Sequence, residues 1–410
     1  MRFIICFLFF CISLISCGSE SKKAPTQIES NELSNIIDLT AGIKNIQPIR
    51  LSEIVDSVSF IPFETKPASL QGQGQKNIRF SSNYIFYYEM AYDWKGNYFG
   101  SIIKRGQGPF EEVDGGDLVY SNGHFYSNGS KFIEYDLKGK PTGKVRSLYA
   151  AREFGTNDFL RRGVDFTSVG ENFVIFDSPT TLYYFNNNFE TIASRVVYMP
   201  DSLPPNYTGG SGNYITFYKE KVLFYSFFND TIFYITDTNL VPKWVVSFDE
   251  KLRVPTYAIF NSAVLYIKSI KEGRDDSELV QLTNHKHSIG ACYETDKYIF
   301  FKMAEAVKST ERRGVMTSLP YIIYYDKATG KTTRVKGEGF EDDLLGFDYF
   351  YPQLGVYDEK LITYIWPFEL IDFVKKSRES GREVNPQLSA LSKQVKEYDN
   401  PILILFHLKK

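Results

Sequence analysis

Six times along the chain a short polar turn is followed by a run of alternating apolar and aromatic residues. The copies read Ser82-Asn83-Tyr84-Ile85-Phe86-Tyr87, Asn122-Gly123-His124-Phe125-Tyr126, Glu171-Asn172-Phe173-Val174-Ile175-Phe176, Glu220-Lys221-Val222-Leu223-Phe224-Tyr225, Asp296-Lys297-Tyr298-Ile299-Phe300-Phe301 and Glu359-Lys360-Leu361-Ile362-Thr363-Tyr364. Taking the residue before each apolar run as a marker, positions 83, 123, 172, 221, 297 and 360 are 40, 49, 49, 76 and 63 residues apart. A recurrence of about 40 to 50 residues made of short strands is the period of a propeller blade of about four strands. The expected fold class is therefore all-β, a six-bladed β-propeller.

Second runs at near-blade spacing support this reading. They start at Ile133, Leu182, Ile232 and Ile322, and each ends in Asp or Asn with Gly or Asn a few residues on, the chemistry of tight hairpins that need positive φ. The 29 tyrosines and 34 phenylalanines among 410 residues exceed ordinary usage, and both residue types favour buried sheet faces. Repeat folds run long as single units, so residues 46–410 are read as one domain. Its closure is expected from pairing of the strand around Val58 to Phe63 with Ile402 to Leu408, which leaves no open edge. Trp366 to Tyr398 breaks the strand pattern: Leu370, Phe373 and Val374, then Leu388, Leu391 and Val395, recur at helical spacing. A helical hairpin inserted in the last blade, about 367–398, is predicted. Ser262 to Ile270 reads as a strand, and Lys271 to Ser288 as a polar loop inserted in a blade.

At the N-terminus Arg2 precedes the apolar run Phe3 to Ile12, which closes on Leu14-Ile15-Ser16-Cys17. A basic start, a short apolar core and a small residue before the cleavage point describe a secretory signal, too short to span a membrane. The tetrad resembles the bacterial lipobox, which implies a signal peptide over 1–16 and acylation of Cys17. Residues 17–45, polar and short of aromatics, are read as a lipidated flexible tether. The expected location is the cell envelope, lipid-anchored at the outer membrane and facing the periplasm or the surface, with the membrane as a partner through that anchor. Cys6 and Cys11 leave with the signal, so Cys292 stands alone and no internal disulfide is available. It is read as a buried, inert thiol. The formal charge of −2, with both signs interspersed, gives no basic footprint for nucleic acid.

Three passages then carry a family resemblance: Leu51 to Thr65 with Phe60-Ile61-Pro62-Phe63-Glu64-Thr65 at its end, Lys104-Arg105-Gly106-Gln107-Gly108-Pro109-Phe110-Glu111, and Asn400-Pro401-Ile402-Leu403-Ile404-Leu405. They resemble the "IPLET" segment, the "GxGQGPGE" loop and the "NPVLVLY" tail of six-bladed β-propeller lipoproteins of the Bacteroidota, related in architecture to NHL-type propellers. The chain departs from that pattern at Phe110, where glycine is common, and at Glu341-Asp342-Asp343, where an Asn-Asp-rich loop is usual. The resemblance implies a lipid anchor, export and association with glycan-uptake systems, with no agreed activity.

Candidate sites are few. Arg105, Gln107 and Glu111 lie in a Gly-rich loop that lacks the Walker lysine and serine; it is read as a turn that can contribute to ligand binding. Gly209-Gly210-Ser211-Gly212 misses the nucleophile elbow at Asn213. Glu341, Asp342 and Asp343 supply hard oxygen ligands of the kind calcium prefers. His285-Lys286-His287 is read as a solvated loop, and His124 and His407 as satisfied histidines within strands. With four histidines and no readable triad, acid–base or nucleophilic catalysis is hard to build. Trp94, Trp244 and Trp366 can stack on sugar faces, and Trp94, in a turn, is the one expected to be exposed. The leading expectation is a non-catalytic binding or scaffold protein, without a cofactor, for a glycan or an envelope protein. The alternatives are a lactonase-like hydrolase or lyase with a cation in the central channel, and a structural subunit whose helical hairpin makes the contact.

Overall fold

The computed structural model describes residues 35–70, 78–113, 116–147, 165–177, 181–197, 215–226, 229–272, 277–310 and 316–410, and Ile36–Lys410 fold as one unit. The fold is mostly β. Among the described residues, six sheets built on four antiparallel strands, a to d, follow one another along the chain; two of them gain a fifth, parallel edge strand, and a two-stranded pair lies outside them. Sheet 1 holds Ile78–Phe80, Ile85–Tyr87, Met90–Tyr92 and Tyr98–Ser101, and sheet 2 Asp117–Ser121, His124–Asn128, Lys131–Tyr135 and Pro141–Ser147. Sheet 3 holds Asp165–Val169, Asn172–Asp177, Thr181–Phe185 and Thr191–Val196, and sheet 4 Ile215–Tyr218, Lys221–Phe224, Thr231–Ile235 and Leu240–Ser247. Sheet 5 holds Lys286–Glu294, Tyr298–Lys308, Met316–Asp326 and Lys331–Val335. Sheet 6 takes Gly355–Tyr357, Lys360–Ile365 and Ile402–Leu408 from the end of the chain and its strand d, Val55–Pro62, from near the beginning. In that last pair Ile402 faces Pro62 and Ile404 faces Phe60, so Pro62 sits on an edge strand, where a missing N–H is tolerated.

All six recurrent runs fall on strand b of their sheets. The runs are uninterrupted because both faces of strand b are buried, and successive side chains enter different cores. Ile85 and Tyr87 pack between sheets 1 and 6 while Phe86 packs between sheets 1 and 2. Phe125 joins the core of sheets 1 and 2, and Tyr126 that of sheets 2 and 3. Val174 and Phe176 meet Val222 and Phe224 between sheets 3 and 4. Leu223 meets Ile299 and Phe301 between sheets 4 and 5, and Phe300 meets Leu361 between sheets 5 and 6. Ile362 returns to the core shared with sheet 1. Each sheet thus packs on two neighbours, and the sixth packs on the first.

The turns divide by end. The a–b and c–d turns are short. Asn122 and Gly123 have φ of 48° and 78°, and Asp358 and Glu359 of 46° and 59°, the conformations of a two-residue hairpin turn. In the c–d turns of sheets 1, 2, 3 and 5, Oδ1 of Asp93, Asp136, Asn186 or Asp326 accepts the N–H two residues on, at 2.8 to 2.9 Å. The opposite end carries the long sheet-to-sheet connections and the b–c connections, which are tight in sheets 1 and 2 and longest in sheet 6. One of these holds helices α3 (Thr256–Phe260), α4 (Ser262–Glu272) and α5 (Glu278–Thr283); α6 (Pro367–Glu379) and α7 (Pro386–Leu391) lie between strands b and c of sheet 6.

Two segments depart from the sequence reading. Residues 36–45 are not tether. Ile36–Asp38 adds a parallel strand to strand d of sheet 4, and α1 (Leu39–Lys44) follows, capped by Asp38 accepting from the Ala41 N–H at 2.9 Å. Ile37, Leu39 and Ile43 are buried between sheets 4 and 5, which anchors the segment despite its polar composition. After Ile46–Gln47, which adds to sheet 5, α2 (Leu51–Ile54) leads into strand d of sheet 6. Ser262 to Ile270 lies in helix α4, not a strand, and Leu265 and Ser269, one turn apart, are both buried. The supposed polar loop contains α5, whose Leu279 packs on Leu265 and Ala258, and the start of sheet 5.

Candidate functional site

The residues singled out from sequence do not assemble into one site. The loop of Arg105, Gln107 and Glu111 leads from sheet 1 to sheet 2 at the long-connection end. Arg105 pairs with Glu89. Glu111 Oε2 accepts from the Gly108 N–H at 2.9 Å, and a Cβ on Gly106 would lie 2.0 Å from that oxygen, so the glycines make room for a carboxylate folded back over the loop. Glu112, fully buried, accepts from Ser130 N and Oγ and Lys131 N, while Lys131 Nζ donates to the Gly108 and Glu111 carbonyls. The loop is fastened to sheet 2, and of its candidates Arg105 and Gln107 are exposed while Glu111 is half-buried.

Glu341, Asp342 and Asp343 diverge. Glu341 lies in a two-residue strand paired with Tyr349 and reaches Arg50 at 3.9 Å. Asp342 is buried and accepts from the N–H groups of Leu344, Leu345 and Phe347 at 3.0, 2.8 and 3.2 Å; burial pushes its carboxyl up, against those donors. Asp343 accepts from Ser52 N and Oγ, which hold it below the usual carboxylate range although burial works the other way. Asp348 pairs with Arg382. Among the described residues no group of three His, Cys, Asp or Glu side chains is placed to hold a metal.

The histidines also differ from expectation in one case. His287 is not in a solvated loop: it is buried on strand a of sheet 5, its Nδ1 3.0 Å from Tyr321 Oη, and burial lowers its pKa. His285, at φ 58°, contacts Glu305 at 3.0 Å. His407 Nε2 lies 2.8 Å from Ser59 Oγ. Cys292 is a free, buried thiol that burial pushes well up. Cys17 and Gly209 to Gly212 lie outside the described residues.

Trp94 leads to a cluster. It is half-buried, whereas Trp244 and Trp366 are buried. Its indole stacks on Phe80 (centroids 5.9 Å, 24°) and on Tyr357 (5.6 Å, 18°), and Phe217 meets Tyr357 edge-on at 6.3 Å. Trp94 Nε1 donates to the Ser81 carbonyl at 3.0 Å, which fixes the ring. Phe80, Phe217 and Tyr357 come from strand a of sheets 1, 4 and 6. Strand a of sheet 4 approaches that of sheet 6 as well as those of sheets 3 and 5, which puts the a strands on the inner side of the cyclic packing. All four rings are half-buried, and burial pushes the Tyr357 hydroxyl up to about 12.

Polar groups border these rings at the short-turn end. Tyr218 Oη donates to Asp296 at 2.8 Å, and Lys219 pairs with Asp296 at 2.7 Å; those contacts hold Asp296 low. Lys327 lies 4.9 Å from the Tyr218 ring centroid and 2.6 Å from the buried Glu294, which also accepts from Tyr234 Oη at 3.0 Å. Stacking surfaces with adjacent donors and acceptors can take a ligand that has both apolar and hydroxylated faces.

Phe80, Phe217 and Tyr357 escaped the sequence reading because aromatics are abundant, yet the repeat frame contains a signal. Three residues before the markers stand Phe80, Tyr120, Val169, Tyr218, Glu294 and Tyr357, an aromatic in four of six repeats at or next to the end of strand a; the frame marks Phe80 and Tyr357 of the cluster, and in sheet 4 it marks Tyr218, the neighbour of Phe217.

In fold, the chain is similar to a protein of Bacteroides fragilis NCTC 9343 described as exported, with a TM-score of 0.61 and 19% identity over 92% of this chain and 100% of that one. BamB from Moraxella catarrhalis gives a TM-score of 0.31 and 14% identity over 68% of this chain and 66% of that one. No curated protein matches the chain in sequence. A family model described as a domain of unknown function, DUF4934, matches residues 34–407, and with the six sheets inside that span except for the final residue of the last strand the chain belongs to the DUF4934 family.

Proposed function

We propose that the six sheets are the blades of a six-bladed β-propeller and that the protein is a lipid-anchored, non-catalytic binding module of the cell envelope that takes a glycan on the Trp94, Phe80, Phe217 and Tyr357 cluster. Cyclic packing of the sheets supports the propeller, and Leu14-Ile15-Ser16-Cys17 supports the anchor. The observation that carries the binding role is the convergence of half-buried rings from strand a of three sheets, beside Tyr218 and Asp296. The rigid sheets hold the rings at little entropic expense, and binding surfaces built so lose less on association. Metal-dependent hydrolysis has less support, since Glu341, Asp342 and Asp343 are each engaged by separate partners.

Thermal unfolding against a panel of soluble glycans tests this. A ligand at about 100 times its dissociation constant adds about 2.7 kcal/mol to stability. One glycan class is expected to raise the midpoint, with Trp94→Ala weakening that binding about thirtyfold, equivalent to about 2 kcal/mol. A calcium-dependent rise reversed by chelation, with no glycan effect, would overturn the reading.

A further inference from the structure

We infer that the ligand of the Trp94 cluster is an uncharged oligosaccharide, its sugar rings laid on Phe80, Trp94 and Tyr357 and two neighbouring hydroxyls held between Asp296 and Lys219; this deepens, and rests on, the glycan reading above. The floor is wider than one ring. Phe80 and Tyr357 lie 5.6 Å apart, tilted by 33°, which closes a triangle with the 5.9 and 5.6 Å contacts of Trp94. Three nearly parallel rings at nearly equal spacing stand side by side, since the outer members of a pile would be much farther apart than its neighbours. With Nε1 of Trp94 already bonded to the Ser81 carbonyl, the floor offers apolar surface to the apolar face of a sugar.

The rim supplies the selection. Glu359 accepts the Asp296 N–H at 3.0 Å through both oxygens, while Asp296 accepts from Tyr218 and Lys219. Tyr218 follows Phe217, and Glu359 stands two residues from Tyr357, so Asp296 is tied to the chain on both sides of the Phe217 and Tyr357 contact. Tyr218 and Lys219 both use Oδ1 of Asp296; among the described residues Oδ2 accepts nothing, and the side chains of Asp296 and Lys219 are 52 and 57% exposed. A carboxylate oxygen beside an ammonium sets an acceptor next to donors, and neighbouring sugar hydroxyls each donate and accept. Charge does not favour an ionic ligand. The turns that bring these groups together, residues 93–95, 219–221, 294–297, 326–331 and 358–360, hold seven lysines and seven Asp or Glu, and Lys219, Lys327 and Lys360 are each paired with a carboxylate. An acidic sugar would meet Asp296 and Glu359 with no surplus of cations to offset the repulsion.

The test is calorimetric titration of the full chain, purified in detergent with its own N-terminus, with β-linked hexasaccharides of glucose, xylose and mannose as uncharged probes and an oligogalacturonate of equal length as the acidic one. An uncharged probe is expected to bind about tenfold more tightly than the oligogalacturonate, with little dependence on salt. Trp94→Ala should weaken that binding, and Asp296→Ala and Lys219→Met should each weaken it about tenfold. Lys219 is exposed, so its variant reports on the rim even where Asp296→Ala lowers the melting temperature. Tighter binding of the oligogalacturonate, lost in Trp94→Ala, overturns this inference and leaves the glycan site standing. Uncharged binding that Trp94→Ala weakens and both rim variants spare also overturns it, by removing the rim from recognition. Binding of no probe, or binding indifferent to Trp94→Ala, overturns both this inference and the glycan reading.

Discussion

Phe189 has φ of 62° in the c–d turn of sheet 3, where the equivalent turns of sheets 1, 2 and 5 have Gly96, Gly139 and Gly330. The left-handed conformation costs a side-chain-bearing residue about 1 to 2 kcal/mol, so a compensating gain is required. The ring supplies it: it stacks on Phe132 at 5.3 Å and contacts Tyr126 and Phe173 in a buried aromatic core. Removing a buried phenylalanine side chain costs about 3 to 5 kcal/mol, more than the backbone relief returns. Phe189→Gly is therefore expected to lower stability by about 2 kcal/mol in denaturant titration, and a stabilised variant would contradict this balance. His287 gives a pH prediction. Burial, first, and then Arg334 and His285 depress its folded pKa, with Glu305 opposing. A depressed pKa contributes stability that is present above the unfolded value of about 6.5 and is lost as pH falls through the folded value. Melting temperature should fall between pH 7 and 5, with a shallower fall in His287→Gln.

At the scale of elements, the insertion between strands b and c of sheet 6 is a structural part of the sheet it interrupts. Leu370 and Val374 of α6 and Leu388 and Leu391 of α7 join the same core as Phe300, Ile402 and Phe406. Leu370→Ala should cost about 3 kcal/mol, measured by urea unfolding; a loss below about 1 kcal/mol would mean that the helices are only loosely applied. This hairpin was legible in the sequence because apolar residues three and four apart, Leu370, Phe373 and Val374, then Leu388, Leu391 and Val395, recur at helical spacing. α4 was not, since Ala263-Val264-Leu265-Tyr266-Ile267 is a short apolar run whose outward residues hide the helical period, and such runs do not separate helix from strand. The six b strands were legible because burial on both faces removes polar interruptions. The a strands, with one side turned inward to the cluster around Tyr357, carry mixed residues, so the rings that make the candidate site passed as ordinary core.

For the whole molecule, cyclic packing makes sheet 6 the joint on which the others depend. Its strand c, Ile402–Leu408, pairs with Lys360 to Ile365 on one side and with Val55 to Pro62 on the other, and Leu403, Leu405 and Phe406 are buried in two different cores. A chain ended after Asn400 should lose cooperative unfolding and aggregate through the exposed edge of Val55–Pro62; a soluble truncate with an unchanged midpoint would show that closure is dispensable. The same pairing sets an order of events during synthesis. Val55–Pro62 leaves the ribosome more than three hundred residues before its partner, and until that partner arrives it is an unsatisfied edge beside five sheets that lack their final neighbour. The earlier sheets can pair internally as they emerge, but their cyclic packing locks only when that last strand arrives.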